Sequence, residues 1–287
     1  MPPTASSAGP VAIVTDSTAY LPGAEVERHG ITVVPLTVVL GGEAFEDGTE
    51  EAARRLEQAL HHRRPVTTSR PGPATFAAAY RAAAEAGAGA VVSLHLSSEI
   101  SGTRDAAMVA AREAPVPVRV VDSGMVAMAL GFCVLAAAEA VADGGGPDDA
   151  VAEAVKRAEA TRAYFYVDTL EHLRRGGRIG AAQALLGSAL AVKPLLELTE
   201  GRIEPREKVR TASRAIARLE ELAVEHAGTG PVDVAVHHLA AGERAAQLAE
   251  RLRGRLPGLV DLHVSEVGAV IGAHTGPGLL GAVVSPR

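Results

Sequence analysis

The chain has 287 residues, carries a formal net charge of −6 and contains a single cysteine, Cys133. Its length predicts two domains rather than one, and its negative charge argues against a broad nucleic-acid-binding surface. One cysteine excludes an internal disulfide and favours a cytoplasmic protein.

The N-terminal part begins with a tail and continues as alternating strands and helices. Residues 1–10 are small, polar and proline-containing, without the basic and apolar segments of a signal peptide, and they predict a disordered tail. Apolar runs predict strands, and helical spacing predicts helices. The predicted strands are 11–15, 31–40 (one or two strands), 90–96 and 116–121. The predicted helices are 50–61, 75–86, one that starts near 101, 125–142 and 150–160.

This alternation predicts an N-terminal α/β domain over residues 11–160, with a mostly parallel sheet flanked by helices on both faces. The apolar stretch 125–142 is interrupted by Gly131 and Glu139, so it predicts a buried helix and not a membrane span.

The C-terminal part predicts a mixed α/β domain over residues 161–287. A turn at Glu200-Gly201 divides residues 195–209 into a hairpin. The other predicted strands are 163–168, 232–237, 259–264 and 279–284, and the predicted helices are 211–226 and 242–255. The fold class is therefore α/β with two domains.

Polar clusters follow three of the predicted strands: Asp16-Ser17-Thr18, Ser97-Ser98 and Asp122-Ser123. Ligands of open α/β sheets bind outside the carboxyl ends of the strands, but the same residue types also cap helices. For Asp122-Ser123 a helix cap is the better interpretation. For residues 97–103 one cap does not account for four hydroxyls, and both a ligand site and a cap stay open.

Three segments rich in neutral hydrogen-bond donors lie far apart in the chain: Thr68-Ser69-Arg70-Pro71, residues 96–103 and His274-Thr275-Gly276-Pro277-Gly278. Hydroxyls, an imidazole and glycine-exposed amides can hold a carboxylate without a permanent counter-charge. The rest of the chain is strongly aliphatic. Together these features predict a site with a polar mouth and an apolar interior, which suits a long-chain acid.

Common catalytic and cofactor motifs are missing from the sequence. It has no G-x-S-x-G, no Walker A motif and no G-x-G-x-x-G after the first strand. The adjacent pairs His61-His62 and His237-His238 have poor spacing for a metal. We therefore expect neither a metal nor a cofactor.

A basic segment at 170–180 places Arg174, Arg175 and Arg178 around two glycines. Two interpretations stay open. The segment is either a turn with solvated arginines or a contact with a phosphate or a partner, because arginine suits bidentate phosphate recognition.

The sequence resembles the DegV family of bacterial fatty-acid-binding proteins, which includes the B subunits of fatty acid kinase. Each motif is weak alone, but their order over nearly the whole chain is specific. The motifs are Val14-Thr15-Asp16-Ser17-Thr18, Thr68-Ser69-Arg70-Pro71, Ser97-Ser98-x-x-Ser101-Gly102-Thr103, Val121-Asp122-Ser123, Leu170-x-x-Leu173-x-x-Gly176-Gly177-Arg178-Ile179 and His274-Thr275-Gly276-Pro277-Gly278.

The resemblance implies a long-chain fatty acid between or beneath the two domains. It implies that the carboxylate is held by Thr68, by Ser97 or Ser98, with Ser98 preferred, and by His274. The neighbouring hydroxyls of Ser69 and Thr275 complete the expected ligand-binding set. Arg70 departs from the family pattern, because glutamine is common at that position.

The resemblance also implies a partner. A separate ATP-dependent fatty acid kinase subunit would phosphorylate the bound acid to an acyl phosphate, and the chain itself would not be an enzyme. The expected partner-facing residues are Arg174, Arg175, Arg178 and Arg210. This role allows transient contact with a membrane and involves no nucleic acid.

The alternative is a stand-alone acyl ester or acyl-phosphate hydrolase that uses Ser98 and His274. The sequence identifies no certain carboxylate to orient this histidine, although Asp16 is a candidate in space.

Overall fold

The structure is a computed structural model that describes residues 9–185 and 193–287, so residues 1–8 of the predicted tail lie outside the described residues. Up to residue 160 the elements are β1 (Val11–Asp16), α1 (Gly23–His29), β2 (Thr32–Val34), β3 (Thr37–Leu40), β4 (Glu43–Glu46), α2 (Glu50–His61), β5 (Val66–Ser69), α3 (Pro73–Glu85), β6 (Ala90–His95), α4 (Thr103–Ala111), β7 (Val118–Asp122), α5 (Met128–Ala142) and α6 (Pro147–Ala160). The later elements are β8 (Arg162–Tyr166), α7 (Glu171–Arg175), β9 (Lys193–Thr199), β10 (Arg202–Val209), α8 (Ala212–Ala227), β11 (Val232–His238), α9 (Gly242–Arg255), β12 (Leu259–Glu266), α10 (Ala269–Thr275) and β13 (Leu280–Pro286).

Four strands form the parallel sheet that the sequence predicts. Their order is β2-β1-β6-β7, and each neighbouring pair is parallel. Helices α3 and α4 pack on one face of this sheet, and α5 and α6 pack on the other. All six residues of β6 are buried because both faces are covered, which explains its largely apolar sequence.

The predicted strand at 31–40 forms two strands that belong to different sheets. Pro35 separates β2 from β3, because proline has no N–H for a sheet hydrogen bond. β3 is the central strand of a small antiparallel sheet with the order β4-β3-β5. The sequence patterns missed β4 and β5, which have four residues each. β5 carries Thr68, so this small sheet positions the first polar segment.

The C-terminal sheet is mixed, as predicted, and has six strands in the order β10-β9-β8-β13-β11-β12. Its pairs are antiparallel except for β11 and β12, which are parallel. Helices α8 and α9 pack on the outer face, whereas the inner face turns toward α2, α5 and α10. All six strands follow residue 160; the domain boundary at that residue stays a prediction.

Three short helices were also missed by the sequence patterns. Helices α1, α7 and α10 have seven, five and seven residues, which is too short for a helical period to stand out. Two of them matter for the site, because α7 carries Arg174 and Arg175 and α10 carries His274. Among the helices of residues 9–185 and 193–287, none combines the length and the apolar composition needed to cross a membrane.

An ion cluster joins α6 to the C-terminal sheet. Arg157 of α6 and Arg287 both donate to Asp233 of β11, whose side chain is only 6% exposed. Arg157 Nε also donates to Ser285 Oγ of β13 at 2.6 Å. The Arg157 side chain is itself largely buried, so its charge depends on Asp233 for compensation.

Asp233→Ala is therefore expected to lower the free energy of unfolding by about 3 kcal/mol, because it leaves the Arg157 charge buried without a partner. Urea denaturation measures the loss as a lower midpoint at an unchanged slope. The control is Asp261→Ala on neighbouring β12, where the side chain is exposed and the change is expected to stay within about 0.5 kcal/mol. Equal losses in the two variants would contradict the prediction.

Candidate functional site

A cavity of about 390 Å³ lies between the parallel sheet and the six-stranded sheet. Its volume falls in the range of about 300–1,000 Å³ that is typical of small-molecule sites. The inner face of the six-stranded sheet forms one wall, and the segments that follow β1 and β6 contribute to the opposite wall. The apolar lining includes Leu36, Leu96, Phe165, Leu198, Ile271 and Val283.

One end of the cavity is polar and is here called the mouth. Four segments that are distant in sequence form it: the end of β5, the loop before α4, the turn after α7 and the C-terminal end of α10. The polar and glycine residues that line the mouth are Thr68, Ser69, Arg70, Ser101, Gly102, Arg178, His274 and Thr275. The structure thus brings together parts of all three donor-rich segments.

A hydrogen bond between Thr68 and His274 crosses the mouth. Thr68 Oγ1 and His274 Nε2 are 2.8 Å apart, although 206 residues separate them in sequence. His274 Nδ1 is buried and has no hydrogen-bond partner among the described residues. It faces the backbone of Gly176, where an added Cβ would overlap the imidazole ring. The glycine therefore leaves just enough room for His274.

Burial determines the charge of His274. Desolvation, aided by the positive charge of Arg178, lowers the pKa of His274 from 6.5 to about 4. The imidazole is therefore neutral near pH 7, and one ring nitrogen donates while the other accepts. When Nε2 carries the proton it donates to Thr68 Oγ1, and the Thr68 hydroxyl is then free to donate to a carboxylate without an ion pair.

Asp47 fixes the position of α10, which carries His274. Its Oδ1 accepts a hydrogen bond from Val270 N near the start of α10 at 3.1 Å, and its Oδ2 accepts one from Ser17 Oγ at 3.0 Å. Burial raises the pKa of the Asp47 carboxyl above its usual value. Asp47, which directly follows β4, thus links the small sheet to the segment after β1 and to α10.

Arg178 lines the cavity, and its guanidinium connects two parts of the mouth. Its Nε donates to the Ile100 carbonyl at 3.0 Å and its Nη1 to the Gly176 carbonyl at 2.6 Å. Arg178 and Ile100 also line a second, adjoining cavity of about 350 Å³. Arg178 was predicted to face a partner; the structure places it in the wall of the cavity.

The other predicted partner-facing arginines lie on the surface. Arg174 and Arg175 are exposed and both pair with Glu171 within α7. Arg210 is exposed in the turn after β10. None of these three lines the cavity, and their predicted role stays a prediction.

The two serines predicted to bind the carboxylate do not line the cavity. Ser97 is buried, and its Oγ donates to the Gly201 carbonyl at 2.7 Å. Ser98 Oγ donates to Asp122, which also accepts from the Ser98 amide. Their predicted role stays a prediction, but these contacts do not favour it. Ser101, from the same motif, lines the mouth instead.

Asp122 and Ser123 do not cap a helix, so the capping interpretation is wrong. Helix α5 begins after Ala127 and has no side-chain cap. Asp122 instead accepts from the amides of Ser98 and Gly124 and braces the loop after β6.

The other predicted ligand-binding hydroxyls also have local partners. Ser69 Oγ donates to the Arg70 carbonyl at 3.2 Å, and Thr275 Oγ1 donates to the Ile271 carbonyl at 3.0 Å. Both residues line the mouth. Their oxygens keep acceptor capacity, whereas the donors are occupied in this arrangement.

The hydrolase alternative finds no support in these contacts. Ser98 Oγ pairs with Asp122 and does not line the cavity, whereas His274 lines the cavity and pairs with Thr68, so the serine and the histidine do not meet. The histidine that Asp16 orients is His95, which pairs in turn with Ser93 Oγ at 2.7 Å. These three side chains are fully buried and do not line the cavity, so they cannot reach a substrate there.

Thr18 and His237 are among the lining residues that were not predicted as site residues. His237 lies at the inner face of the sheet, accepts from Met128 N at 3.1 Å and has a pKa lowered to about 4 by burial. Thr18 stands in a strand-end cluster that the sequence did single out. The sequence analysis considered His237 only as half of an adjacent pair with poor spacing for a metal, and its contact with α5, which spans 109 residues, leaves no local pattern.

No group of three or more His, Cys, Asp or Glu side chains is arranged to hold a metal ion in the part of the chain that the structure describes.

The fold and the cavity define an α/β protein that encloses an apolar cavity with a polar, positively charged mouth. A family profile described as "Uncharacterised protein, DegV family" matches residues 10–287. The chain therefore belongs to the DegV family, as the sequence motifs indicated. A DegV domain-containing protein of Streptomyces coelicolor is 74% identical over 277 residues, which cover 96% of this chain and 99% of that protein.

Solved structures of this family are similar to the chain over nearly its full length. A DegV family protein from Thermus thermophilus, described by its fatty acid binding, has a TM-score of 0.92 at 36% identity and covers 97% of this chain and 100% of its own. DegV from Bacillus subtilis, described as a fatty acid binding protein, has a TM-score of 0.89 at 38% identity and the same coverage.

The lowered pKa of His274 predicts a specific titration. NMR of the ring signals is expected to show a neutral imidazole at pH 7 that protonates near pH 4, and Arg178→Gln is expected to raise this pKa. Because the unfolded chain takes up the proton near pH 6.5, His274 should destabilise the fold as pH falls from about 6.5 toward 4. A ring that titrates near 6.5 in the folded protein would contradict the prediction.

Proposed function

We propose that the chain binds a long-chain fatty acid in the cavity, with the carboxylate at the mouth and the acyl chain against the apolar walls. The observation that carries this proposal is the charge of the lining. Of the described residues, two arginines, Arg70 and Arg178, line the cavity, and no aspartate or glutamate does. An apolar cavity with uncompensated positive charge at one end suits an anionic amphiphile.

The family members from Thermus thermophilus and Bacillus subtilis support the proposal, because both are described as binding fatty acid. Thr68 and His274 are the best-placed neutral ligands for the carboxylate, since they meet across the mouth. Ser69, Ser101 and Thr275 line its rim, and each hydroxyl would have to leave its local partner to donate to a carboxylate.

Burial of the acyl chain supplies most of the affinity in this proposal. Each buried CH₂ contributes about 0.8 kcal/mol, so a C16 chain has a gross transfer free energy on the order of 12 kcal/mol. The head group then mainly sets the orientation of the ligand. Neutral donors also leave a carboxylate oxygen more accessible to a phosphoryl donor than a tight bidentate clamp would.

The purified protein is expected to carry near-stoichiometric fatty acid, seen by native mass spectrometry and by lipid extraction. Gly176→Ala should lower this occupancy, because the added Cβ displaces His274 from Thr68 while the backbone φ of −74° accepts alanine. The matched control is Gly72→Ala, where an added Cβ meets no atom within 4 Å. No acyl species in wild-type extracts and no uptake of added palmitate would overturn the proposal.

We further propose that the chain presents the acid, in the cytoplasm, to a separate ATP-dependent kinase subunit that forms the acyl phosphate. In this reaction a carboxylate oxygen attacks the γ-phosphorus of ATP, and ADP leaves. Support comes from the surface beside the mouth: exposed Arg174 and Arg175 stand within four residues of Arg178, which lines the cavity. Arg210 adds a further exposed positive charge.

Arg175→Glu is expected to abolish acyl-phosphate formation with the cognate kinase and to leave palmitate occupancy unchanged, because Arg175 is exposed and outside the cavity lining. The partner contact should also weaken with salt, since exposed charges are screened beyond about 10 Å at 0.1 M. Arg81→Glu on the exposed side of α3 controls for the charge change. Normal phosphorylation of Arg175→Glu would remove this residue from the partner surface.

A further inference from the structure

We propose that Arg70 contacts the head group of the bound acid and selects an ionised carboxylate over an uncharged head group. This inference rests on the proposed function and assigns its charge specificity to one residue.

The two arginines of the mouth differ in whether their guanidinium groups donate hydrogen bonds within the protein. Arg178 uses Nε and Nη1 on the carbonyls of Ile100 and Gly176, so these donors hold the mouth together. The Arg70 guanidinium makes no hydrogen bond and no ion pair with any residue in the ranges 9–185 and 193–287; the one hydrogen bond at Arg70 is accepted by its backbone carbonyl. Its donors are therefore available to a ligand.

The position of Arg70 directs its side chain to the same cavity as Thr68. Thr68 lies in β5 and Arg70 directly follows the strand, and a spacing of two residues puts side chains on one side of an extended chain. Both line the cavity. The Arg70 guanidinium lies against Gly102 on the opposite rim, where an added Cβ would overlap Nη1. Gly102 thus provides the space in which the guanidinium rests across the mouth.

The charge at Arg70 has no compensation within the cavity. Within residues 9–185 and 193–287 no aspartate or glutamate lines the cavity, and the neighbouring His274 is neutral near pH 7. A bound carboxylate would supply the missing negative charge and could accept a charge-assisted hydrogen bond from the guanidinium through one oxygen, which leaves its other oxygen accessible. A fatty alcohol with the same chain would bury the same apolar surface but would gain none of this interaction.

The test compares palmitate with 1-hexadecanol on delipidated protein, by competition with a fluorescent fatty acid. The wild type is expected to prefer palmitate. Arg70→Gln removes the charge and keeps a hydrogen-bonding side chain, so it should reduce the preference roughly tenfold by weakening palmitate alone. Arg81→Gln removes the same charge from an exposed position on α3 outside the cavity lining and should keep the wild-type preference.

Gly102→Ala tests the position of the guanidinium without changing its charge. The backbone at Gly102 has a φ of −86°, which alanine accepts, and only the flexible end of Arg70 must move. We expect the preference for palmitate to fall in this variant too, with thermal unfolding unchanged.

Three results would overturn the inference. If the Arg70→Gln variant keeps the wild-type preference for palmitate, Arg70 does not select the head group. If the variant binds palmitate and 1-hexadecanol equally more weakly, Arg70 shapes the cavity instead. Gly102→Ala with the wild-type preference shows that its position across the mouth is irrelevant. A wild-type protein that binds neither ligand is a different result, because it refutes the proposed function itself and this inference with it.

Discussion

A neutral imidazole in a tightly fitted space governs the geometry of the mouth. His274 meets Thr68 on one side and the backbone of Gly176 on the other, so β5, the end of α7 and α10 converge on one ring. Burial keeps this ring uncharged beside Arg178. A charged imidazole there would repel the arginine and would need hydration that the site does not provide. The arrangement of the mouth therefore depends on His274 staying uncharged.

Three aspartates at or just after strand ends stabilise the loops around this ring. Asp16 accepts from the amides of Thr18 and Leu96, Asp47 from that of Val270, and Asp122 from those of Ser98 and Gly124. Each carboxylate is thus directed at backbone donors, and none lines the cavity. The same contacts that hold the loops in place keep negative charge away from the mouth. The order of the loops and the positive charge of the mouth therefore have a common origin in these residues.

The sequence predicted the parts of the protein that depend on long, regular patterns. The buried run of β6 and the regular spacing of α2 and α9 correspond to the observed elements, because burial on a whole face imposes a period. The four-residue strands β4 and β5 and the seven-residue α10 carry too few residues for a period to show. The sequence identified the donor-rich segments, but it did not show which hydroxyls face the cavity. The hydroxyl of Ser98 donates to Asp122 and that of Ser97 donates to Gly201, and both partners are distant in sequence.

The distance along the chain between Thr68 and His274 has a consequence for biosynthesis. The hydrogen bond that closes the mouth joins residues 206 positions apart, and the six-stranded sheet that forms one wall is completed only by β13. On a ribosome, the parallel sheet and its helices can therefore assemble while the opposite wall is still absent. Until β13 pairs, the nascent chain would expose the apolar surface that this sheet later covers, as expected for folds rich in non-local contacts. A fatty acid that binds at this stage would stabilise the folded state of the chain as it forms.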